Sequence, residues 1–355
     1  MLQNEGRIYY FCPSYSRPIG GLKKIYQHVD ILNAAGIPSY VVHSEMGFRC
    51  DWFENKTPVA YIEAANDPLL VLNDEGDESY LPPFSAYDIL VLPELMAYQI
   101  APHTIALGQY IVIFNQNAYL TFQPVKLPTV PFTALRENED KTPYYNSNLL
   151  GTIVVSEDLV EFLEYAFPGL ALYHVHITID FSLFQYSKEK KKQIAYMPRK
   201  HKNQNTQLVN ILKERNNLSG WTFVPIDNVS EQEVARILQD SALFLSFSEE
   251  EGFGLPPFEA MACGCIVIGY HGQGGKEFLI PPYAYPINDG EVLLFAQTVE
   301  KIVLDYNKNE KFYQDQAQKA SEFIYKNYSQ RREEEELKAI WLQIIEKHQK
   351  ALAAL

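Results

Sequence analysis

Short runs rich in β-branched and aromatic residues alternate along the chain with longer stretches whose apolar positions recur at helical period. A first series of predicted strands comprises Arg7–Cys12, Ser39–His43, Ile89–Leu92, Tyr110–Phe114 and Thr152–Val155. A second comprises Gln193–Met197, Trp221–Val224, Ala242–Ser246 and Cys265–Tyr270. Between them the spacing predicts helices at Leu22–Ala35, Glu157–Ala166, Gln204–Glu214, Glu231–Gln239 and Pro256–Ala262. Strands alternating with helices make parallel sheets covered by helices, so the chain reads as two successive α/β sets. From Gly290 onward the pattern is helical almost throughout, and Leu337, Ile340, Trp341, Ile344 and Ile345 fall on one face that needs a partner surface. No short-period repeat is present, which excludes solenoids and propellers.

Polar runs mark the joints. Ser187–Lys192, with four lysines, reads as a solvated linker between the sets, ahead of a patch for anionic membrane. Asn73–Glu78 reads as a solvated acidic loop lacking the residue order of a calcium loop, and Glu333–Glu336 as a solvated helix face. The expected domains are 1–180, 181–325 and a terminal helix at 326–355.

The 355 residues are 47% hydrophobic and 21% charged, which excludes disorder, collagen and coiled coil and leaves room for two domains. The net charge of −14 argues against a nucleic-acid binder. That charge is unevenly spread: residues 1–180 hold 9 basic against 21 acidic side chains, residues 181–355 hold 21 against 23. Cys12, Cys50, Cys263 and Cys265 are too few for a disulfide framework and lack C-x2-C spacing, which suits a reduced cytoplasmic compartment. The start, MLQNEGRIYYFCPSYS, lacks the basic and apolar regions of a signal peptide, and no apolar run reaches about 18 residues. Membrane contact is therefore expected to be peripheral at most, at the inner face.

The chemistry concentrates in Ser246–Gly264. A strand ending at Ser246, a glycine-containing loop and a helix beginning near Pro256 form a site for phosphate, because the first helical N–H groups are unbonded and the helix dipole favours an anion. Glu251 and Glu259 bracket the turn, and Gly252 and Gly254 let a ligand approach the backbone. A helix-borne carboxylate beside phosphate suits vicinal hydroxyls such as those of ribose; the plainer reading makes Glu259 a complement to the helix dipole and Glu251 a surface charge. No histidine spacing suits a metal, and no D-x-D triplet occurs. Pro13–Gly21 replaces the G-x-G-x-x-G expected of a dehydrogenase.

The segment EGFGLPPFE at 251–259 resembles the E-x7-E signature of the family 4 (group 1) glycosyltransferases. The resemblance implies the GT-B architecture: an α/β chain of two facing Rossmann-like domains, the first for the acceptor and the second for the nucleotide sugar, with a C-terminal helix returning to the first. It implies that Glu259 binds ribose hydroxyls, that Glu251 meets hydroxyls of the transferred sugar, and that Gly252, Phe253, Gly254 and Leu255 border the donor. Gly20 and Gly21, ahead of Lys23 and Lys24, resemble the glycine loop that approaches the donor phosphates. Val155-Ser-Glu, Ile177–Asp180 and Phe184 resemble the crossing between domains, and Tyr270–Glu277 a glycine loop ending in a glutamate beside the donor sugar. In that loop Gly274 and Gly275 would supply N–H donors, Glu277 the carboxylate and Lys276 a counter-charge.

Two departures stand out. Arg199 matches the family's pyrophosphate arginine, but Gln204 stands where a lysine is expected five residues later, leaving Lys202 or its neighbour Lys200 for that place. Histidines common after the fourth and fifth strands are replaced by Leu92-Pro-Glu94 and by Asn115, Gln116 and Asn117, a triplet that either binds the acceptor or caps a turn. The implied activity is retaining transfer of a sugar from a nucleoside diphosphate sugar to a saccharide or other hydroxyl acceptor, in polysaccharide or glycan biosynthesis, with no metal and no other cofactor. The alternatives are a nucleotide-sugar epimerase of the same fold and a catalytically silent sugar-nucleotide-binding scaffold.

Overall fold

The computed structural model describes residues 6–62, 71–72, 80–81, 84–122 and 142–354; the acidic stretch Asn73–Glu78 lies outside them. The chain divides into two compact units. One holds residues 1–155, 159–175 and 334–355, the other 156–158 and 176–333. The first unit therefore gives way at Val175, and takes the chain back at Glu334.

In the first unit the elements run β1 (Ile8–Phe11), α1 (Gly20–Ala34), β2 (Ser39–His43), β3 (Val59–Ile62), β4 (Val71–Leu72), β5 (Tyr80–Leu81), β6 (Ile89–Pro93), α2 (Glu94–Ala106), β7 (Tyr110–Asn115), β8 (Leu149–Val154), α3 (Glu157–Ala166) and β9 (Leu172–His174). They form one sheet in the order β5-β4-β3-β2-β1-β6-β7-β8-β9. Pairing is parallel from β3 to β9, and antiparallel only at β3–β4 and β4–β5. Every residue of β1, β6, β7 and β8 is buried, as a sheet covered on both faces requires. The order reverses between β1 and β6, so these neighbours send the chain onward in opposite directions and leave a crevice at their carboxyl ends.

The second unit contains β10 (Lys191–Tyr196), α4 (Lys202–Arg215), β11 (Thr222–Pro225), α5 (Glu231–Asp240), β12 (Ser241–Glu251), α6 (Leu255–Ala262), β13 (Ile266–Gln273), β14 (Tyr285–Ile287), α7 (Val292–Tyr306) and α8 (Glu310–Asn327). Its parallel sheet has the order β11-β10-β12-β13-β14, reversing between β10 and β12. Leu243, Leu245, Phe247, Ile268 and Tyr270 of the central strands pack with Phe295, Val299 and Val303 of α7.

Three readings from sequence are corrected here. β12 does not stop at Ser246 but runs to Glu251, because β13 continues to pair with it as far as Glu251 opposite Gln273. In the lysine run Lys188, Lys191 and Lys192 are exposed, but the partly buried Lys190 donates its ammonium to the carbonyls of Leu238 (3.0 Å) and Cys263 (2.7 Å), and Lys191 opens β10. Glu333 is buried instead of solvated, accepting the Thr178 N–H at 3.0 Å.

The last helix, α9 (Gln330–Ala353), carries the predicted apolar face, and Leu337, Ile340, Trp341, Ile344 and Ile345 are all buried. Within the first unit the Trp341 indole N–H donates to the Tyr10 hydroxyl at 3.0 Å, and Lys347 Nζ donates to the Leu150 carbonyl at 2.6 Å. Among the described residues no helix is long and apolar enough to cross a membrane. Replacing Trp341 with Ala removes a fully buried ring and the partner of a buried hydroxyl, a loss of about 3–5 kcal/mol. Chemical denaturation should show that loss for Trp341→Ala and a change within about 0.5 kcal/mol for the exposed neighbour Leu342→Ala.

Candidate active site

At the carboxyl edge of the second sheet, β10 and β12 each deliver one charged group. The chain leaves β10 through a tight turn in which Lys200 N–H donates to Met197 O at 3.2 Å and Asn205 Nδ2 donates to the same carbonyl at 3.1 Å. His201 completes the turn in the left-handed region (φ 43°), a conformation costly for a residue with a Cβ. Its Nε2 lies 3.1 Å from Asp289 Oδ1. This turn directs Lys200 Nζ onto Glu251 Oε1 at the end of β12, in an ion pair whose side chains are 28% and 25% exposed. Such a half-exposed pair adds little to stability, about 0–1 kcal/mol, but it fixes a cation and a carboxylate at the point where the strand order reverses. Arg199 is exposed next to this pair in sequence, its Nη2 4.0 Å from Met197 Sδ. Lys202 is exposed as the first residue of α4. Of the two lysines that spacing leaves open, Lys200 is the one that meets Glu251.

Beyond Glu251 the chain enters α6 through Gly254, whose φ of 95° belongs to the left-handed region that glycine occupies without strain. No side chain caps this helix, and Pro256 takes its first turn. Leu255 and Glu259 are partly exposed on the first two turns. The Phe253 ring is buried, 5.1 Å from those of Phe258 and Phe278, so its side chain packs in the core. The Gly252 carbonyl accepts the Ser156 hydroxyl at 2.6 Å.

The second glycine loop packs directly on the first. A Cβ on Gly274 would lie 2.2 Å from the Gly252 carbonyl oxygen, so backbone touches backbone there, whereas one on Gly275 would make ordinary contacts. Glu277 accepts the Glu157 N–H at 3.0 Å and the Tyr328 hydroxyl at 2.9 Å, and burial raises its pKa. Both its oxygens thus hold the fold. Lys276 pairs with Asp158 at 3.2 Å. His271 Nδ1 accepts the Gln273 N–H at 3.0 Å, which assigns the ring proton to Nε2 in the neutral form, and burial followed by Lys276 lowers its pKa.

In the first unit Gly20 and Gly21 open α1 behind Ile19, which supplies no capping side chain, so the early N–H groups meet no side-chain acceptor from that position. Lys24 is buried, and Lys23 lies 5.8 Å from the centre of the Phe53 ring. A Cβ on Gly21 would lie 3.1 Å from Gln116 Oε1, so the Gln116 amide packs over the start of α1. Asn115 is buried and gives its Nδ2 to Thr121 Oγ1 (2.8 Å) and Tyr144 Oη (3.0 Å). Asn117 Oδ1 accepts the Tyr119 N–H at 3.1 Å and caps a 3-10 turn at Ala118–Leu120. The triplet therefore divides, with two members serving the fold and Gln116 facing the helix start.

The sequence shows Glu94 only as part of the Leu92-Pro-Glu94 segment that replaces a family histidine, with no role for it. It opens α2, is 5% exposed, and accepts the Gln116 N–H at 3.1 Å. Burial first, opposed by bonds from backbone N–H groups including those of Gln116 and Asn117, pushes its pKa up to about 7. A lone acidic residue immediately after an all-apolar strand was the available signal.

Two measurements follow from these contacts. Gly274→Ala forces apart two backbone segments and should destabilise the second unit by at least about 1–3 kcal/mol, seen as a lower melting temperature, while Gly275→Ala changes it much less. Because the folded pKa of Glu94 is raised, its contribution is complete below pH 4.5 and is lost as pH rises through about 7. Wild type should therefore lose on the order of 3 kcal/mol relative to Glu94→Gln between pH 4 and pH 8, read from denaturant midpoints.

Residues 185–319 match the family described as glycosyl transferases group 1. An alpha-1,6-glucosyltransferase of Actinobacillus pleuropneumoniae serotype 7 is 26% identical over 251 residues, covering 67% of this chain and 68% of that one. Sucrose-phosphate synthase from Thermosynechococcus elongatus superposes with a TM-score of 0.65 at 14% identity, covering 99% of this chain and 100% of its own. Anabaena HepE in complex with UDP and glucose gives a TM-score of 0.57 at 12% identity, over 98% of this chain and 100% of its own. The matched segment contains Arg199, Lys200, Glu251, Glu259 and the second glycine loop, so this part of the chain is similar to the group 1 glycosyl transferases, and the fold of the whole chain is the GT-B fold of its structural neighbours.

Proposed function

We propose that the chain moves a glycosyl group from a nucleoside diphosphate sugar to a hydroxyl of a saccharide acceptor, with retention at the anomeric carbon and without a metal ion or other cofactor. The observation that carries this reading is the Lys200–Glu251 pair at the strand-order reversal, next to the uncapped start of α6. As the anomeric C–O bond breaks, negative charge gathers on the leaving diphosphate. Lys200 and Arg199 supply the positive charge to meet it, and the first N–H groups of α6 add their dipole. Glu251 exchanges Lys200 for a hydroxyl of the bound sugar, which frees the ammonium for phosphate. Glu259 accepts the ribose hydroxyls. In the retaining course the leaving phosphate takes the acceptor proton on the same face, so no protein nucleophile is needed.

UDP-glucose is the first donor to test, since one relative is named a glucosyltransferase and one structural neighbour was solved with UDP and glucose. The excess acid in residues 1–180 favours a neutral acceptor over an anionic lipid surface, and the four buried free cysteines suit the reduced cytoplasm, with membrane contact peripheral at most. The setting is polysaccharide or glycan assembly.

With UDP-glucose and a neutral gluco-oligosaccharide, product analysis should show transfer with an α linkage. Glu259→Ala should weaken donor binding at least about 10-fold, and Lys200→Ala should lower turnover about 10²–10³-fold, with a smaller effect for Lys202→Ala. Epimerised donor formed without acceptor would instead identify an epimerase, and donor binding without consumption a scaffold.

A further inference from the structure

We propose that Glu94 is a positioning residue for glycosyl transfer: it holds the Gln116–Asn117 turn against the start of α1 so that the Gln116 amide is presented to a hydroxyl of the acceptor. This rests on the transferase reading above and adds to it a residue of the first unit.

Topology supplies the first support. β1, β6 and β7 are neighbours, and their carboxyl ends deliver the start of α1, Glu94 and the Asn115–Asn117 triplet to the edge where this sheet reverses its order. The second support is the bonding of the triplet. Asn115 is tied through Nδ2 to Thr121 and Tyr144, and Asn117 is committed to capping the next turn. Gln116 lies between these anchors with its backbone N–H on Glu94 and its amide against Gly21. A neutral amide both donates and accepts, so it matches a sugar hydroxyl, which does the same.

The third support is the choice of a carboxyl at all. A buried ionisable group costs the fold more than an amide or hydroxyl that could take the same N–H bond, and such groups concentrate at functional sites. Ionised, the Glu94 carboxylate accepts at both oxygens; protonated, one oxygen becomes a donor and its hold on the turn weakens. Among the described residues the titratable group facing it from a neighbouring element is the Tyr144 hydroxyl on the turn before β8, itself pushed up by burial and ionising far above neutrality. Glu94 is thus the group of this pair that changes charge across the neutral range.

The test uses the full chain, UDP-glucose as donor and an isomalto- or malto-oligosaccharide as acceptor, with both KM values measured. Glu94→Ala should lower kcat/KM for the acceptor about 10- to 100-fold while the donor KM stays within about 2-fold. Glu94→Gln should recover most of that loss, and should abolish the limb near pH 7 that wild type shows in acceptor kcat/KM. Gln116→Ala, at a partly exposed position, should reproduce the acceptor defect with an unchanged melting temperature, so the proposal stays open to refutation even if Glu94→Ala fails to fold. Survival of the pH limb in Glu94→Gln, or wild-type acceptor kinetics in Gln116→Ala, overturns the proposal alone. A wild-type protein that transfers no sugar overturns the transferase reading and this proposal with it.

Discussion

The second unit depends on one geometric constraint: in a parallel sheet all strands deliver their carboxyl ends to the same edge, and where the order reverses the connecting segments leave in opposite directions. β10 and β12 are the pair at which this happens, and the Lys200–Glu251 ion pair spans them there. Much of the site is built to keep that edge open. The left-handed His201 turns the chain away after Lys200, the left-handed Gly254 starts α6 just after Glu251, and the backbone contact between Gly252 and Gly274 locks one loop to the other. An anion arriving there would meet a cation, a helix start whose N-cap glycine offers no side chain, and glycine backbone.

The first unit repeats the constraint with different chemistry. Its reversal between β1 and β6 gathers a neutral amide and a buried carboxyl, where the second unit gathers a lysine and an arginine. That contrast agrees with the distribution of charge, since the acidity of the chain lies almost wholly in residues 1–180. A half that repels anions broadly and a half that holds cations at a helix start are suited to different substrates. The apolar stripe of α9 closes the core of the first unit with Trp341 on Tyr10, while Glu333 near the start of the helix accepts the Thr178 N–H in the second.

Most of the parallel framework was legible because strands buried on both faces read as unbroken apolar runs, and because α9 shows its buried stripe directly. α2 was missed for the opposite reason: ELMAYQIAPHTIA is apolar on all sides and contains Pro102, so it has neither a one-sided pattern nor a helix-like composition. β3, β9 and β14 have only three or four residues each, too few for a period to register. Within the lysine run only Lys190 departs from the solvated reading, because charge is a sound guide to solvent only until a carbonyl pair captures one ammonium, as Leu238 and Cys263 do here.

By itself the sequence determined the two α/β sets, the glycine loops, the carboxylates at a spacing of E-x7-E, and the resemblance that these carry, since each is a matter of local pattern. Tertiary structure decided which groups meet. It selected Lys200 for Glu251, because a single left-handed residue reverses the chain before Lys202 and no residue count reveals that turn. It sent the Phe253 ring into the core and committed Glu277 to Glu157 and Tyr328, because burial and partners come from segments distant in sequence. It raised the Glu94 carboxyl toward neutrality for the same reason: a pKa depends on how much water and which N–H groups surround a group, and those neighbours are assembled only when strands far apart in the chain lie side by side.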